Sequence, residues 1–362
     1  MAHILVIGYS PRKIAPYLSF YIDLLKKEGI SFDYMTRDFK NSPMDESVES
    51  NQIVYSYLQP SNPIGKIINI LRWRKAALNQ MKKGYDFIIC LTCYPAIILS
   101  DILCKKYNSK YIVDIRDYQS FLRHSVFMQR LTRALVASKA VMISSEGFKQ
   151  WLPKLNNVHV IHNMPSDIHE SKSSCFKHDK THPITIGYLG VVNYYSQNEK
   201  IICALSNDRR YRMAFFGIYS QPGRFEKYCE KNNISNVVFN GAFENKNKPI
   251  LYETIDIINA VYGNDSLTVT TALPNKLYDS VLYNIPIMVS SGTYLATIVK
   301  NYNLGFAIDL TKDIKMQLDE YWNKFDKSVF ESGAMFFKQK CIQDNENAIH
   351  TNIESCRVWE HK

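Results

Sequence analysis

The pattern that most limits the fold is an alternation of short apolar runs with longer amphipathic stretches, played through twice. Residues 3–8 read as a strand, 16–28 as a helix closed by Gly29, and 31–36 as a second strand. A basic amphipathic helix over 64–83 ends at Gly84. Strands then fall at 87–91, 110–114, 140–144 and 158–161, separated by helices at 96–107, 126–138 and 146–152. Such alternation predicts a parallel sheet covered on both faces. The stretch from Pro165 to Pro183 is polar and breaks the pattern, as a linker does. From 184 the alternation restarts, with strands at 184–189, 213–217, 237–240, 257–261, 286–290 and 305–308. Helices fall between them, among them one over 275–283, and further helical sequence follows from 313. The expected fold is α/β: two doubly wound, Rossmann-like domains over 1–164 and 184–338, joined by a hinge at 165–183. Residues 339–362 are expected to pack back toward the first domain. The 362 residues suit two domains at about 150 residues each.

Charge is distributed unevenly. Residues 1–180 hold 25 Lys and Arg against 15 Asp and Glu; the remainder holds 19 of each, so the net +10 belongs to the first half. No acid lies between Glu49 and Asp86, while Lys66, Arg72, Arg74, Lys75, Lys82 and Lys83 do. That half is suited to an anionic partner. No uncharged apolar run reaches the about 18 residues of a membrane span, and the opening run reads as a first strand rather than a leader. Cys90 and Cys93 lie in a strand-like run with no second pair or nearby His, so they read as buried thiols rather than a redox or zinc pair.

In doubly wound folds ligands bind at the carboxyl ends of the strands, which directs attention to the strand-to-helix loops. A small-residue loop ending at Pro274 feeds a helix beginning at Asn275. Free N–H groups and the helix dipole make such a start an anion site. Lys276 places a cation in the first turn, where the dipole alone prefers an acid; a nearby phosphate accounts for it, though the segment also suits an ordinary solvated helix start. Asn275 and Asp279 share a face, and an Asp one turn in can accept from two ribose hydroxyls. Two further strands are each followed by a glycine, Gly190 with Asn193 beyond it, and Gly241 with Phe243 beyond it. Such turns admit close approach of a ligand to the backbone.

Taken together, these segments make the second domain resemble the donor half of a GT-B glycosyltransferase of the family 4 type found in capsule and O-antigen clusters. The matching order is Tyr188-Leu189-Gly190, Phe215-Phe216-Gly217, the run from Asn236 to Gly241, Leu251-Tyr252 with Ile255-Asp256-Ile257, and the run from Asn275 to Asp279 followed by Asn284 to Ile287. The resemblance covers about 130 residues strongly and the first domain weakly. It implies a nucleotide-diphosphate sugar as co-substrate, with no resident cofactor or metal, and makes Asp279 the ribose-binding acid. Two departures stand out. The family's first Glu of E-x7-E falls on Thr271, and the Arg and Lys that neutralise the diphosphate are missing near Asn193. Lys276 is the expected substitute.

In the first domain the strand over 110–114 ends in Asp114, Arg116 and Asp117. Asp117, past the strand end, is the preferred general base for an acceptor hydroxyl, with Asp114 the second choice; Arg116 could reach the donor diphosphate. Pairing of Arg116 with one of these acids, merely tying the loop, is the competing reading. Gly8, Tyr9 and Ser10 form the acceptor-side loop, with His124 and His162 as histidines to test. The helix over 64–83 has Ile64, Ile67, Ile68, Leu71, Leu78 and Met81 at helical spacing, and Trp73 as an interfacial residue. It reads equally as a helix lying on an anionic leaflet and as a half-buried domain helix with a basic face. A lipid-linked glycan acceptor favours the leaflet, and places the enzyme in the cytoplasm at the inner membrane face. A nucleotide-sugar epimerase and a non-catalytic nucleotide-sugar or glycan binder are the alternatives; nucleic acid is not expected, since no reader motif accompanies the basic stretch.

Overall fold

The computed structural model describes residues 2–12, 15–39, 49–58, 60–164 and 182–357. Of the expected hinge, 165–181 lie outside the described residues. The chain divides into two units, Met1–His162 with Asp344–Lys362, and Asn163–Gln343.

The first unit holds a seven-stranded parallel sheet built from β1 (His3–Ile7), β2 (Ser31–Phe39), β3 (Gln52–Tyr57), β4 (Phe87–Leu91), β5 (Tyr111–Ile115), β6 (Ala140–Ile143) and β7 (Val158–Val160), in the order β3-β2-β1-β4-β5-β6-β7. The central strands β4 and β5 are buried along their whole length, as continuous apolar runs covered on both faces must be. The helices are α1 (Pro16–Lys27), α2 (Pro63–Met81), α3 (Cys93–Ile98), α4 (Ser100–Lys106) and α5 (Ser125–Val136). Right-handed crossovers set α1 on one face of the sheet and α2 to α5 on the other. The core on the α1 side combines Ile4, Val6, Leu18, Tyr21, Ile22 and Ile112 with Ala348 and Cys356 from the C-terminal helix.

The second unit holds a six-stranded parallel sheet of β8 (Ile184–Val192), β9 (Tyr211–Tyr219), β10 (Val237–Asn240), β11 (Ile257–Ala260), β12 (Ile287–Ser290) and β13 (Gly305–Ile308), in the order β10-β9-β8-β11-β12-β13. Its helices are α6 (Tyr195–Ala204), α7 (Arg224–Lys231), α8 (Lys248–Tyr252), α9 (Leu267–Thr271), α10 (Asn275–Leu282), α11 (Tyr294–Asn301) and α12 (Ile314–Lys324), and a long α13 (Lys327–Arg357) continues into the first unit's residues. One face packs Leu277, Val281, Ile287, Val299 and Phe337; the other packs Ile201, Phe215, Phe225, Ile257 and Leu318.

The two doubly wound sheets are those the alternation predicts. Several details differ. The helix expected over 96–107 is two helices, broken at Leu99. The run through Cys93 is not one strand: β4 stops at Leu91, Thr92 has φ 72°, and Cys93 opens α3. Cys90 and Cys93 are buried free thiols, and burial pushes the Cys93 thiol up to about 12. The loop before Pro274 contains α9, and β3 was not anticipated. Among the described residues no helix is long and apolar enough to cross a membrane, and no group of three or more His, Cys, Asp or Glu could hold a metal ion.

Helix α2 requires a correction. Trp73 is not interfacial: it is fully buried, on a stripe with Asn69, Ala77, Gln80 and Met81. The apolar stripe Ile64, Ile67, Ile68 and Leu71 faces outward, with Ile64 71% and Leu71 58% exposed. Arg74 is not a free surface charge either, since its guanidinium bonds Asp101 (2.6 and 2.9 Å) and the Ile98 carbonyl (2.5 Å).

Candidate functional site

The second unit's candidate site gathers at the first turn of α10. Pro274 supplies the N-cap position and its carbonyl accepts from the Leu277 N–H at 3.0 Å, so of the first turn the Asn275 and Lys276 N–H groups are without a partner among the described residues. Asn275 is exposed, and its side-chain oxygen accepts from Asn163 Nδ2 at 3.3 Å. Asp279, one turn on, is buried but for a small window. Its carboxylate accepts from the Tyr252 hydroxyl at 2.8 Å and from Lys248 Nζ at 3.2 and 3.3 Å. Burial and the neighbouring carboxylate push the Tyr252 hydroxyl far above its ordinary range, so it stays a donor. In the sequence Tyr252 has only a place in the family's order and Lys248 has no role. They stand four apart on α8, so one helix face aims both at Asp279; a lone Lys opening a short helix gives no signal of this.

Lys276 does not project from the first turn as a solvated cation. It is buried, with Nζ 3.1 Å from the centre of the Tyr188 ring and 5.1 Å from that of Tyr262. Tyr194 packs on Tyr262 at 4.7 Å, so the ammonium sits against an aromatic group of three. Burial lowers its pKa well below that of an ordinary lysine, Asp279 opposes the shift, and Lys248 adds to it. The ring faces return part of the lost hydration.

Gly190 is not a turn after the strand. β8 runs on to Val192, and Gly190 pairs with Gly217 of β9. Both have positive φ, 118° and 143°, and a Cβ on Gly217 would stand 1.7 Å from the Gly190 carbonyl oxygen. The glycines are needed for that close crossing of β8 and β9. Asn193, in the loop beyond, is half-buried. Gly241 follows β10 as expected, exposed, its carbonyl accepting from Gly217 N–H at 3.0 Å. Phe243 leans on the core below α10. Thr271 is fully buried and its hydroxyl bonds the Leu267 carbonyl at 2.6 Å.

In the first unit, Asp114 is buried at the end of β5, with Arg116 Nε at 2.6 Å, Arg116 Nη2 at 2.7 Å and the Tyr21 hydroxyl at 2.8 Å. The pair ties the loop, as the competing reading of this segment expects. Asp117 is exposed and has no hydrogen bond or ion pair with the described residues. The protein around its carboxyl raises its pKa, and Arg116 pulls the other way. Tyr17 bonds Ser10 and feels the charges of Asp114, Arg116 and Asp117, so the loop after β1 meets this cluster. Gly8 N–H bonds the Met35 carbonyl, and the Tyr9 ring stacks on Tyr94 at 5.0 Å. His124 caps α5 through its carbonyl and is exposed. His162 is buried against α13: Nε2 lies 3.0 Å from Asp344 Oδ2, and its N–H bonds Asn345 at 2.6 Å. The structure thus joins Ser10 with the Asp114–Asp117 cluster, and leaves His162 in a separate, helix-docking role.

No protein-family model matches the chain, and no curated protein matches it in sequence. Solved structures do match in fold. Sucrose-phosphate synthase from Thermosynechococcus elongatus superposes with a TM-score of 0.67 at 13% identity, over 98% of each chain. HepE from Anabaena, solved with UDP, gives 0.68 at 13% identity over 98% of this chain and 100% of that one. WaaB, a lipopolysaccharide outer core galactosyltransferase, in its apo form gives 0.69 at 13% identity over 97% and 99%. At these identities what is shared is the fold, and the fold is the two-domain GT-B architecture of these glycosyltransferases.

Proposed function

We propose that the chain is a glycosyltransferase. It would move a sugar from a nucleotide-diphosphate donor held on the second unit to a lipid-linked glycan held on the first, at the cytoplasmic face of an anionic membrane, in assembly of a bacterial surface polysaccharide. The observation that carries this reading is the convergence of Asp279, Lys248 and Lys276 on the first turn of α10. It supplies a carboxylate for ribose hydroxyls, and two amines with a helix N-terminus for a diphosphate. HepE, which shares the fold, has been solved with UDP and with UDP-glucose.

In this reaction the acceptor oxygen forms a bond to the sugar's anomeric carbon as the bond from that carbon to the diphosphate oxygen breaks. Asp117 takes the hydroxyl proton. The charge released onto the diphosphate is met by the α10 N–H groups and the two lysines, Lys248 leaving Asp279 for the phosphate. The outward stripe of α2, flanked by exposed Lys66, Arg72 and Lys75, supports docking on an anionic leaflet, with the apolar residues entering the interface. A second reading, a non-catalytic nucleotide-sugar binder, is favoured by Thr271. Buried and bonded within its own helix, it offers no carboxylate to a donor sugar.

The test is a thermal-shift series with nucleoside diphosphates and nucleotide sugars. A ligand of the native state at about 100 times its Kd stabilises by about 2.7 kcal/mol. One nucleotide family should raise Tm, and Asp279→Ala should abolish the rise. Release of that nucleoside diphosphate in the presence of a glycan acceptor separates the readings: binding without release selects the binder. If no nucleotide shifts Tm at millimolar concentration, both readings fall.

A further inference from the structure

We propose that a track of half-exposed rings centred on Arg37, along the carboxyl edge of the first sheet, is a saccharide subsite that takes a glycan bearing one anionic group. The track is assembled from several strands. Tyr55 and Tyr57 end β3, Arg37 lies near the end of β2, Tyr9 follows β1, Tyr94 follows β4, and Phe121 follows β5. Tyr55 and Tyr57 stack at 6.5 Å. The Arg37 guanidinium lies 3.8 Å from the centre of the Tyr57 ring and 4.1 Å from that of Tyr9. Tyr9 stacks on Tyr94 at 5.0 Å, Tyr94 meets Phe121 at 5.0 Å, and Phe121 meets Phe127 at 5.4 Å. Trp73, buried beneath, braces the Tyr9 ring edge-on at 5.0 Å.

Two features separate this track from a core. The core tyrosines of the same unit, Tyr21 and Tyr34, are fully buried, whereas Tyr9, Tyr57, Tyr94 and Phe121 keep part of their surface open. Rings half-open at a strand edge present flat apolar faces to which the C–H faces of pyranoses pack. The second feature is Arg37 itself. Arg74, Arg116, Arg210, Arg224 and Arg357 each hold a carboxylate. Among the described residues Arg37 holds none, and its buried Nε has no hydrogen-bond acceptor there. The rest of the guanidinium is partly exposed and bonds the Tyr9 hydroxyl, so one buried N–H is left for an acceptor from outside, and an unpaired buried donor is costly. Its planar fork matches a carboxylate or a phosphate. The Arg37 backbone N–H donates to the Ser10 carbonyl at 3.3 Å, which fixes the loop after β1 against β2. The loop after β1 thus carries Tyr9 of the track and leads into α1, whose Tyr17 ring lies 5.6 Å from the Arg116 guanidinium.

The site's place in a reaction rests on the transferase reading, but its binding is measured without donor. The full chain would be titrated with three glucose tetrasaccharides: neutral, ending in glucuronate, and carrying a phosphate at the reducing end. At least one anionic probe should bind about tenfold or more tighter than the neutral one, the gain of a charge-assisted hydrogen bond. Preference for glucuronate assigns the charge to a sugar; preference for the phosphate assigns it to the carrier end. Arg37→Gln should remove the preference, Arg37→Lys should keep part of it, and Tyr94→Ala should weaken all three probes alike. The proposal is overturned if the neutral probe binds as tightly as both anionic ones, if none binds at millimolar concentration, or if both Arg37 variants keep the full preference. Binding of the nucleoside diphosphate series to the same samples keeps the two readings apart: saccharide binding with no nucleotide binding sinks the transferase, and nucleotide binding without saccharide binding sinks this subsite alone.

Discussion

Arg116 reaches back two residues to Asp114, its Nε 2.6 Å from Oδ1, and both side chains are buried. This pair leaves Asp117 as the acid of the cluster that is open to a substrate. Removing one partner of a buried pair typically costs about 3–5 kcal/mol, so Asp114→Asn should lower Tm sharply. Asp117→Asn should leave Tm and nucleotide binding unchanged and reduce transfer by about 10²- to 10⁴-fold. The pH profile gives an independent reading. The Asp117 pKa is raised by desolvation, and a general base must be deprotonated. Activity should therefore fall as pH drops through that raised value, and the acid limb should vanish in Asp117→Asn. An unaltered limb assigns it to another group.

The two stripes of α2 predict opposite phenotypes. Trp73→Ala empties a buried site and should cost about 3–5 kcal/mol of stability. Ile67→Asp with Leu71→Asp alters residues that are both 58% exposed, so Tm should hold while binding to vesicles containing anionic lipid is lost. Replacing Lys66, Arg72 and Lys75 by Gln should weaken vesicle binding most at low salt, where screening is least. Arg74 is excluded from that set because Asp101 holds it. Wild-type vesicle binding in both surface variants would remove α2 from the membrane assignment.

The same helix shows where sequence reading stops. Ile64, Ile67, Ile68 and Leu71 carry the stronger apolar signal, yet the sheet takes Trp73 and Ala77, because periodicity gives a stripe and not the direction it faces. Both sheets were legible because buried parallel strands are continuous apolar runs. β3 was not: it is an edge strand whose residues stay half-exposed, so no apolar run marks it. Asp279 was legible from its place on a helix that follows a Pro-containing loop. Its partners Lys248 and Tyr252 were not, because their meeting is made by packing over 31 and 27 residues. Gly190 was legible as special for a different reason from the one the structure gives, the Gly217 crossing.

In the proposed donor site, Lys276 would link nucleotide binding to protons. Its pKa is held well below the ordinary lysine value by burial over Tyr188 and Tyr262. The native state therefore binds fewer protons than the unfolded chain between that depressed pKa and the ordinary one, so this group makes stability rise with pH across that window. A diphosphate beside the amine favours its charged form. Nucleoside diphosphate binding within that window should take up protons and weaken as pH rises. Calorimetric titrations in buffers of different ionisation enthalpy measure this directly. Lys276→Met should abolish the uptake, whereas uptake of the same size in the variant transfers the effect to Lys248 or to the phosphate.

His162 and Asn345 close the first unit on itself. Asn345 Oδ1 accepts from the His162 N–H at 2.6 Å, its Nδ2 donates to the His162 carbonyl at 3.3 Å, and Asp344 holds the ring at 3.0 Å. Beyond this clamp α13 contributes Ala348 and Cys356 to the core, and Arg357 pairs with Glu28 of the loop after α1 at 2.6 Å. Asn345→Ala leaves a backbone donor and acceptor without their partner, a loss of about 1–3 kcal/mol. The loss should fall on docking of the helix end rather than on the second unit. Hydrogen exchange should therefore quicken over residues 344–357 and along α1, where that core is shared, while binding of whichever nucleoside diphosphate shifts the wild-type Tm stays at the wild-type level. A fall in that nucleotide's affinity matching the fall in Tm would make the clamp part of the proposed donor site rather than a fastening of the first unit.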